Sequence, residues 1–512
     1  MGCVRSSPIP GPKERSTVSS TGSEARAGAG EPRSGSRGRA KPAAPGAGPA
    51  VVALLLFAAG LAAYSVNRDL RFVHWDEFLW YPEVLRAAEG TLRAPDPESL
   101  LHPTRWQYPP LFFLAAGALV RLLGESFLSF RLLSILSSAS LAPFAFLLGR
   151  SAAGARTGIV AGLYTLLFPL AHRYGGSLLV DPFQAALIAA ALFLFARAEK
   201  TGGSLLPAAA AAALAGSAKY TSLLLPASLA VVLIAGRRLR GPGEGRSRRE
   251  ILLFALLSFA PLLFLRRQDF ELLREMSAWK SLPLDGGDLL RVLPLPLLLA
   301  ALLAPALRRG LPRALAGPYT FLVAWLAFFL WRRQQPNWLL PAAVPLAVLA
   351  AHATVLLAVG KRRILAQAAA AALLAYGGWR SSAEVGAYRE QERIYAEAAA
   401  YVDARVPTGG FVAVDALPFA GTIYLRSPTR DVRNVGFRDA ARAILLPWVF
   451  ENYKIRGFSG SAWGEVHETE IRGSWTLEKR YALQGKPILE VWANPRKSRE
   501  RASPEPLPAE RG

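Results

Sequence analysis

The chain of 512 residues contains a single cysteine, Cys3, and only five histidines. One thiol excludes an intramolecular disulfide, so cysteine usage says nothing about the redox compartment. The histidines are scattered. His102 and His352 have no partner near them in sequence, whereas His74 lies beside the acids of the first loop. No zinc-ligand spacing, phosphate-cradling glycine loop or Ser/His/Asp order stands out. Acidic residues are scarce too: 37 Asp and Glu against 60 Lys and Arg give a net charge of +23. The cations are mostly arginines in short loops between apolar runs, not one patch with interleaved aromatics. That pattern argues against a nucleic-acid partner and for the positive-inside bias of membrane proteins.

Hydrocarbon is abundant. Apolar residues make up 52% of the chain, and mean hydropathy is +0.25. They are blocked into runs such as Val51 to Ala63, Ile251 to Leu265 and Leu339 to Leu357. Runs of about 17 to 25 apolar residues span a bilayer, so the expected fold class is a mainly α polytopic membrane bundle. Residues 1–46, rich in Pro, Gly, Ser and Arg, cannot bury enough surface to fold and read as a disordered basic cytoplasmic tail. Met1-Gly2-Cys3 with Ser6 matches an acylation pattern, but a protein with many spans gains little from an acyl chain. Val51 to Val66 reads as an uncleaved first span. The preference for Ala, Arg, Gly and Pro over Lys fits a GC-rich bacterial source and hence an inner (plasma) membrane.

Apolar segments fall near residues 50–66, 109–123, 129–149, 157–171, 182–196, 204–218, 221–235, 250–265, 291–307, 315–331, 338–358 and 364–380. The basic tail, the loop Arg237 to Arg249, Arg308-Arg309 and Lys361-Arg362-Arg363 should all be cytoplasmic. Threading every segment across puts the arginine-rich loop outside. The conflict disappears if 109–123, which opens with Pro109-Pro110 and contains Arg121, is a juxtamembrane or re-entrant helix. About eleven crossings remain, and Asp76, Asp181, Lys219, Arg332, Arg333 and the region after Arg380 share the outer face.

The outer loop 67–108 carries His74-Trp75-Asp76-Glu77-Phe78-Leu79-Trp80-Tyr81-Pro82-Glu83. Carboxylates at the water edge of a bundle are where a membrane enzyme would keep a general base, although Trp and Tyr also form plain interfacial belts. Pro82 suits the first position of a short helix ending near Ala88. Asp181 before Pro182 reads as a helix N-cap, and the polar string His172-Arg173-Tyr174-Gly175-Gly176-Ser177 before it could bring it towards the first loop. Lys219 interrupts an apolar stretch from Ser204 to Ala235; at the bilayer centre a lysine costs about 2.5 to 3.5 kcal/mol, so it should face water, protein or an anion. Snorkelling to the interface is the plainer alternative. Arg332-Arg333 on the outer side run against the charge bias and fit an anionic partner such as phosphate. Acids near a phosphate could hold a divalent cation, but no ligand spacing decides it.

In order, one span, a loop with Asp76-Glu77, Tyr108-Pro109-Pro110-Leu111, Leu123-Gly124-Glu125, Arg131-Leu132, Val180-Asp181-Pro182 and Asn337-Trp338-Leu339-Leu340-Pro341 follow one another. Over residues 50 to 380 this order resembles the GT-C class of polytopic glycosyltransferases, in the branch of the protein O-mannosyltransferases and lipid A aminoarabinose transferases. The resemblance implies transfer of a sugar from a polyprenyl-phosphate donor to a lipid, glycan or protein acceptor, with inversion. It makes Asp76 the general base, with Glu77 its neighbour and Asp181 a second acid. Lys219, Arg332 and Arg333 would meet the donor phosphate, and His74, Tyr108 and Arg173 would line the site. Where that family often has Arg-Tyr before the late Leu-Pro, this chain has Asn337-Trp338, with its arginines slightly earlier.

The domains expected are therefore the tail 1–46, a transmembrane glycosyltransferase domain 47–380, a periplasmic α/β domain 381–494 and a mobile tail 495–512. Within the α/β domain, the pattern predicts helices over Tyr388 to Arg405 and Phe437 to Tyr453. Strands are expected over Phe411 to Val414, Trp475 to Tyr481 and Ile488 to Trp492. Two rival functions remain: a transporter or flippase lined by Asp181 and Lys219, and a catalytically silent scaffold. A transporter would more often show two related halves, and the acidic loop occurs once.

Overall fold

The computed structural model describes residues 48–66, 68–70, 77–91, 109–240, 246–264, 294–307, 311–332, 336–358, 363–414, 425–431, 438–446, 465–483 and 485–500. The tail 1–46 with its acylation pattern, and residues 501–512, lie outside them. A helix occupies every apolar segment read from the sequence, and one more lies between the first two segments. In chain order these helices are α1 (Gly48–Tyr64), α2 (Glu77–Glu89), α3 (Leu111–Leu123), α4 (Phe127–Ala153), α5 (Ala155–Leu166), α6 (Pro169–Tyr174), α7 (Val180–Thr201), α8 (Leu206–Ala218), α9 (Leu224–Arg240), α10 (Arg248–Ser258), α11 (Leu295–Leu303), α12 (Arg313–Arg332), α13 (Ala343–Leu357) and α14 (Arg363–Asp403). Short 3₁₀ turns at Tyr220–Leu223 and Pro336–Ala342 lead into α9 and α13.

Five helical stretches among the described residues are long and apolar enough to cross a membrane: Phe127–Ala153, Val180–Thr201, Tyr220–Arg238, Arg313–Trp331 and Pro336–Leu357. This is an integral membrane protein. The central helix α13 is buried along most of its length by its neighbours. By contrast α9 and α10 turn Val231, Ile234, Leu252 and Leu256 outward, as lipid-facing helices do. With 13 residues, α3 is about 20 Å long, short of a hydrocarbon core of about 30 Å. It lies against α2, where a Cβ on Gly117 would come 2.7 Å from Ala87 Cβ.

Lipid gives apolar helices no hydrophobic reason to associate, so close packing must do the work, and small residues allow it. Between α4 and α5, a Cβ on Gly158 would stand 2.6 Å from Phe146 O, and one on Gly149 3.1 Å from Gly158 Cα. Ser126 and Ser129 form a reciprocal capping box at the start of α4, satisfying backbone donors that would otherwise be open. The end of α7 is pinned electrostatically. Buried Glu199 accepts from Arg246 (3.2 Å) at the approach to α10 and from Arg313 (2.8 Å) at the start of α12.

Four expectations need correction. First, α2 begins at Glu77, so Pro82 falls in its second turn and Glu77 lies inside the helix, not ahead of it. Second, the last span and the helix after it are one helix of 41 residues, α14. The Gly377-Gly378 pair does not break it: a Cβ on Gly377 would stand 2.6 Å from Leu167 O, so glycine there permits close packing on the end of α5. Third, the helix expected over Phe437 to Tyr453 contains strand β3 (Arg442–Leu445); residues 437 and 447–453 of that expectation lie outside the described residues. Fourth, Pro495–Glu500 is helical.

The α/β domain has a five-stranded mixed sheet in the order β2-β1-β3-β5-β4. Its other strands are β1 (Val412–Val414), β2 (Thr429–Asp431), β4 (Thr476–Leu483) and β5 (Lys486–Ala493). β1 pairs in parallel with β2 and β3; β5 runs antiparallel to β3 and β4. Pairing on both edges is what draws the helix-forming string Ala-Arg-Ala-Ile-Leu into β3. The end of α14 covers one face through Ile394, Ala398 and Val402, and Ile471 of helix α15 (Glu465–Ser474) covers the other.

Gly158→Leu should lower the stability of the detergent-solubilised protein by about 1 to 3 kcal/mol through overpacking. Gly48→Ala, whose added methyl meets nothing within 4 Å, should leave the thermal unfolding midpoint unchanged.

Candidate functional site

Two buried ion pairs are built around the start of α7. The first begins with Glu77, in the first turn of α2, and Arg131, in the second turn of α4; neither is exposed to solvent. The guanidinium grips the carboxylate with two parallel bonds, Nε to Oε1 at 2.8 Å and Nη2 to Oε2 at 3.0 Å. Glu77 Oε1 also accepts the backbone N–H of Leu178 at 2.7 Å. The Arg131 Nη1 donates to the carbonyls of Leu70 and, at 3.4 Å, Arg68. Ser134, one turn along α4, donates to Leu179 O at 3.0 Å. Thus α4 ties the segment ahead of Asp76 to the segment ahead of Asp181.

The second pair lies three residues beyond Leu178. Asp181 Oδ1 accepts from Lys219 Nζ at 2.7 Å, and Oδ2 accepts from Asn337 Nδ2 at 3.1 Å. All three residues are buried. Lys219 reaches this place because the helix breaks at it: α8 ends at Ala218 and the Lys219 backbone is extended (φ −156°, ψ 126°). Its ammonium also lies 4.5 Å from the ring centre of Trp338, within cation–π range. That indole is fixed in turn. Trp325 Nε1 donates to Trp338 O at 2.7 Å, and the Phe328 ring stacks on it at 6.2 Å and 13°.

Among the residues expected from sequence, Asp181 and Lys219 therefore come together directly. Asp181 does not cap its helix: Leu179 precedes α7 in extended conformation, and both carboxylate oxygens serve Lys219 and Asn337. Glu77 is engaged by Arg131. Arg173, on α6, instead faces α14, with Glu384 at 3.8 Å. Near it, past Arg380, burial pushes the Tyr388 phenol above its ordinary range while the Arg173 guanidinium pulls it back part-way. Asp76, His74, Tyr108 and Arg333 lie outside the described residues, and Arg332 ends α12 with its side chain outside them as well. Among the described residues no group of three or more His, Cys, Asp or Glu could hold a metal ion.

The sequence reading gave no role to Arg131, Asn337, Trp338 or Gln184. Arg131 carried a usable signal, since an arginine inside an apolar segment demands a partner. Asn337 and Trp338 carried none beyond their place before a span, where the family that the chain resembles often has Arg-Tyr.

The protein has the fold of the GT-C glycosyltransferases. Its residues 107–264, which include Arg131, Asp181 and Lys219, match the family described as dolichyl-phosphate-mannose-protein mannosyltransferase. The crystal structure of ArnT from Cupriavidus metallidurans bound to undecaprenyl phosphate is similar, with a TM-score of 0.56 and 16% identity over 88% of this chain and 98% of that one. The archaeal oligosaccharyltransferase AglB from Archaeoglobus fulgidus, in complex with an inhibitory peptide and a dolichol-phosphate, also has a TM-score of 0.56, at 12% identity over 90% of this chain and 75% of that one. These likenesses are of fold. No curated protein matches the chain in sequence.

Arg131→Met would leave the Glu77 carboxylate buried without its counter-charge, and should destabilise the protein by about 3 to 5 kcal/mol. The double variant Glu77→Gln with Arg131→Met should recover part of that loss. Thermal unfolding of both in detergent checks the order; equal stability of the two would show that the charge itself is not what costs.

Proposed function

We propose that this protein is a membrane glycosyltransferase that moves a sugar from a polyprenyl-phosphate donor to an acceptor hydroxyl, with inversion. The observation that carries the reading is the buried Asp181–Lys219–Asn337 cluster at the broken-helix end of a GT-C bundle. Lys219 is buried beside irregular backbone with its ammonium already on Asp181, a place where it would also meet the charge of a lipid phosphate. The ArnT neighbour is bound to undecaprenyl phosphate and the AglB neighbour to a dolichol-phosphate, which supports a lipid phosphate as that anion.

In this reading Asp76 takes the proton of the acceptor hydroxyl as its oxygen attacks the anomeric carbon. The bond from that carbon to the phosphate oxygen breaks, and the electron pair leaves with the lipid phosphate. A single displacement of this kind inverts the centre. A phosphate is a weak base and needs charge neutralisation more than a proton. Lys219, aided by Arg332 or Arg333, supplies it where water is partly excluded. Glu77 is the neighbour of the base in sequence, and its grip on Arg131 keeps the start of α2 in place. His74 and Tyr108 complete the lining, while Arg173, turned to Glu384 on α14, stands outside it. Residues 47–380 are the catalytic domain, and 381–494 an α/β domain that binds the acceptor. The charge pattern supports an inner-membrane protein of a bacterium with the site on the periplasmic face.

Asp76→Asn should reduce transfer from a polyprenyl-phosphate sugar in proteoliposomes by about 10²- to 10⁴-fold, the contribution of a general base. Membrane insertion and lipid-phosphate binding should be unaffected. Full activity of the variant would remove Asp76 from the mechanism.

A further inference from the structure

Helix α7 presents a second polar side chain on the face that carries Asp181. Gln184 lies three residues later, so the two are neighbours on the helix surface, and Gln184 is fully buried. Its Nε2 donates to the hydroxyls of Thr221 and Ser222, each at 2.8 Å. Those residues form the 3₁₀ turn that directly follows Lys219.

The turn matters because Lys219 is not held by a helix. Its own N–H still bonds Ala215 O at 3.0 Å, and its carbonyl accepts from Ser222 N–H at 2.9 Å, but its extended backbone breaks the regular ladder between α8 and α9. With that break, the direction of the lysine side chain depends on where the turn behind it is anchored. One face of α7 thus supplies both the carboxylate that receives the ammonium and the amide that fixes the turn carrying it. The rest of α7 is mostly Ala, Leu and Phe, and among the described residues the Gln184 Oε1 meets no hydrogen-bond partner. A buried carbonyl left open is costly, and an aliphatic residue would avoid that cost if packing were the sole need.

We propose that Gln184 is a positioning residue for the lipid-phosphate site. It clamps the turn Tyr220–Leu223 so that the Lys219 ammonium stands between the Asp181 carboxylate and the Trp338 ring, ready to meet a phosphate. The proposal rests on the glycosyltransferase reading above. Gln184 itself touches neither Lys219 nor the donor; it acts through the backbone of the turn.

The test uses the full chain in nanodiscs, with undecaprenyl phosphate as the probe. Gln184→Met keeps the length of the side chain and removes both hydrogen bonds. It should bind undecaprenyl phosphate about tenfold more weakly, roughly the factor that one hydrogen bond is worth. KM for a polyprenyl-phosphate sugar should rise by a similar factor and kcat should fall as well, since Lys219 also neutralises the departing phosphate; a smaller folded fraction would lower kcat but leave KM and the binding constant alone. Thr221→Val with Ser222→Ala, which removes the same bonds from the other side, should reproduce the shift. Adding Gln184→Met to that pair should change nothing further. Equal binding by parent and Gln184→Met would overturn the positioning role and leave the glycosyltransferase reading standing. A parent protein that binds no undecaprenyl phosphate would overturn both.

Discussion

An ionisable group buried in a membrane bundle is tolerable only if a counter-charge is buried with it, and that constraint organises this structure. Three such arrangements stand among the described residues: Glu77 with Arg131, Asp181 with Lys219, and Glu199 with Arg246 and Arg313. Each joins stretches distant in sequence. Removing one partner would strand a charge in low dielectric, so each pair fixes relative positions more firmly than apolar contacts between lipid-solvated helices can. Asp181 and Glu199 sit near opposite ends of α7. At 1.5 Å per residue they are about 27 Å apart, close to the thickness of a hydrocarbon core. The helix is thereby anchored at both ends.

Irregular backbone is concentrated at the Asp181 end. The turn after Lys219 and the turn at Pro336–Ala342 both depart from α geometry there. At membrane depth such backbone survives only inside protein or beside a water-filled cavity, because lipid cannot satisfy exposed peptide groups. Here Gln184, Asn337 and Trp325 supply side-chain bonds to or from the two turns. The aromatic row of Phe321, Trp325 and Phe328 along α12 seats Trp338 beneath the lysine. Polar and aromatic support is spent where helices break, which is also where a charged lipid headgroup could be met.

The long helix α14 runs unbroken from the bundle into the α/β domain. Its first half packs Ala370, Leu373 and Leu374 on the bundle core, and its last turns contribute Ile394, Ala398 and Val402 to the core under the sheet. Exposed Trp379, with Tyr376 beside it and the Arg380 guanidinium over its ring, is the kind of residue that settles at a membrane interface.

Much of the fold was legible because hydropathy is a local property. Every apolar run became a helix, and the resemblance in motif order pointed to the GT-C fold that the chain has. The strands expected over Trp475 to Tyr481 and Ile488 to Trp492 are also present, as Thr476–Leu483 and Lys486–Ala493. Pairing was not legible, because it is decided by neighbours that sequence does not list. Nothing local told that Asp181 would spend both oxygens on Lys219 and Asn337 instead of capping its helix. Nor did anything show that Arg131 would reach back to Glu77, or that Arg442–Leu445 would be drawn from helix into strand by β1 and β5. The sequence by itself determined which segments are hydrocarbon-soluble and where costly charges stand. Only the tertiary structure decided which charge answers which, since the attraction between buried ions falls with distance in space and is indifferent to distance along the chain.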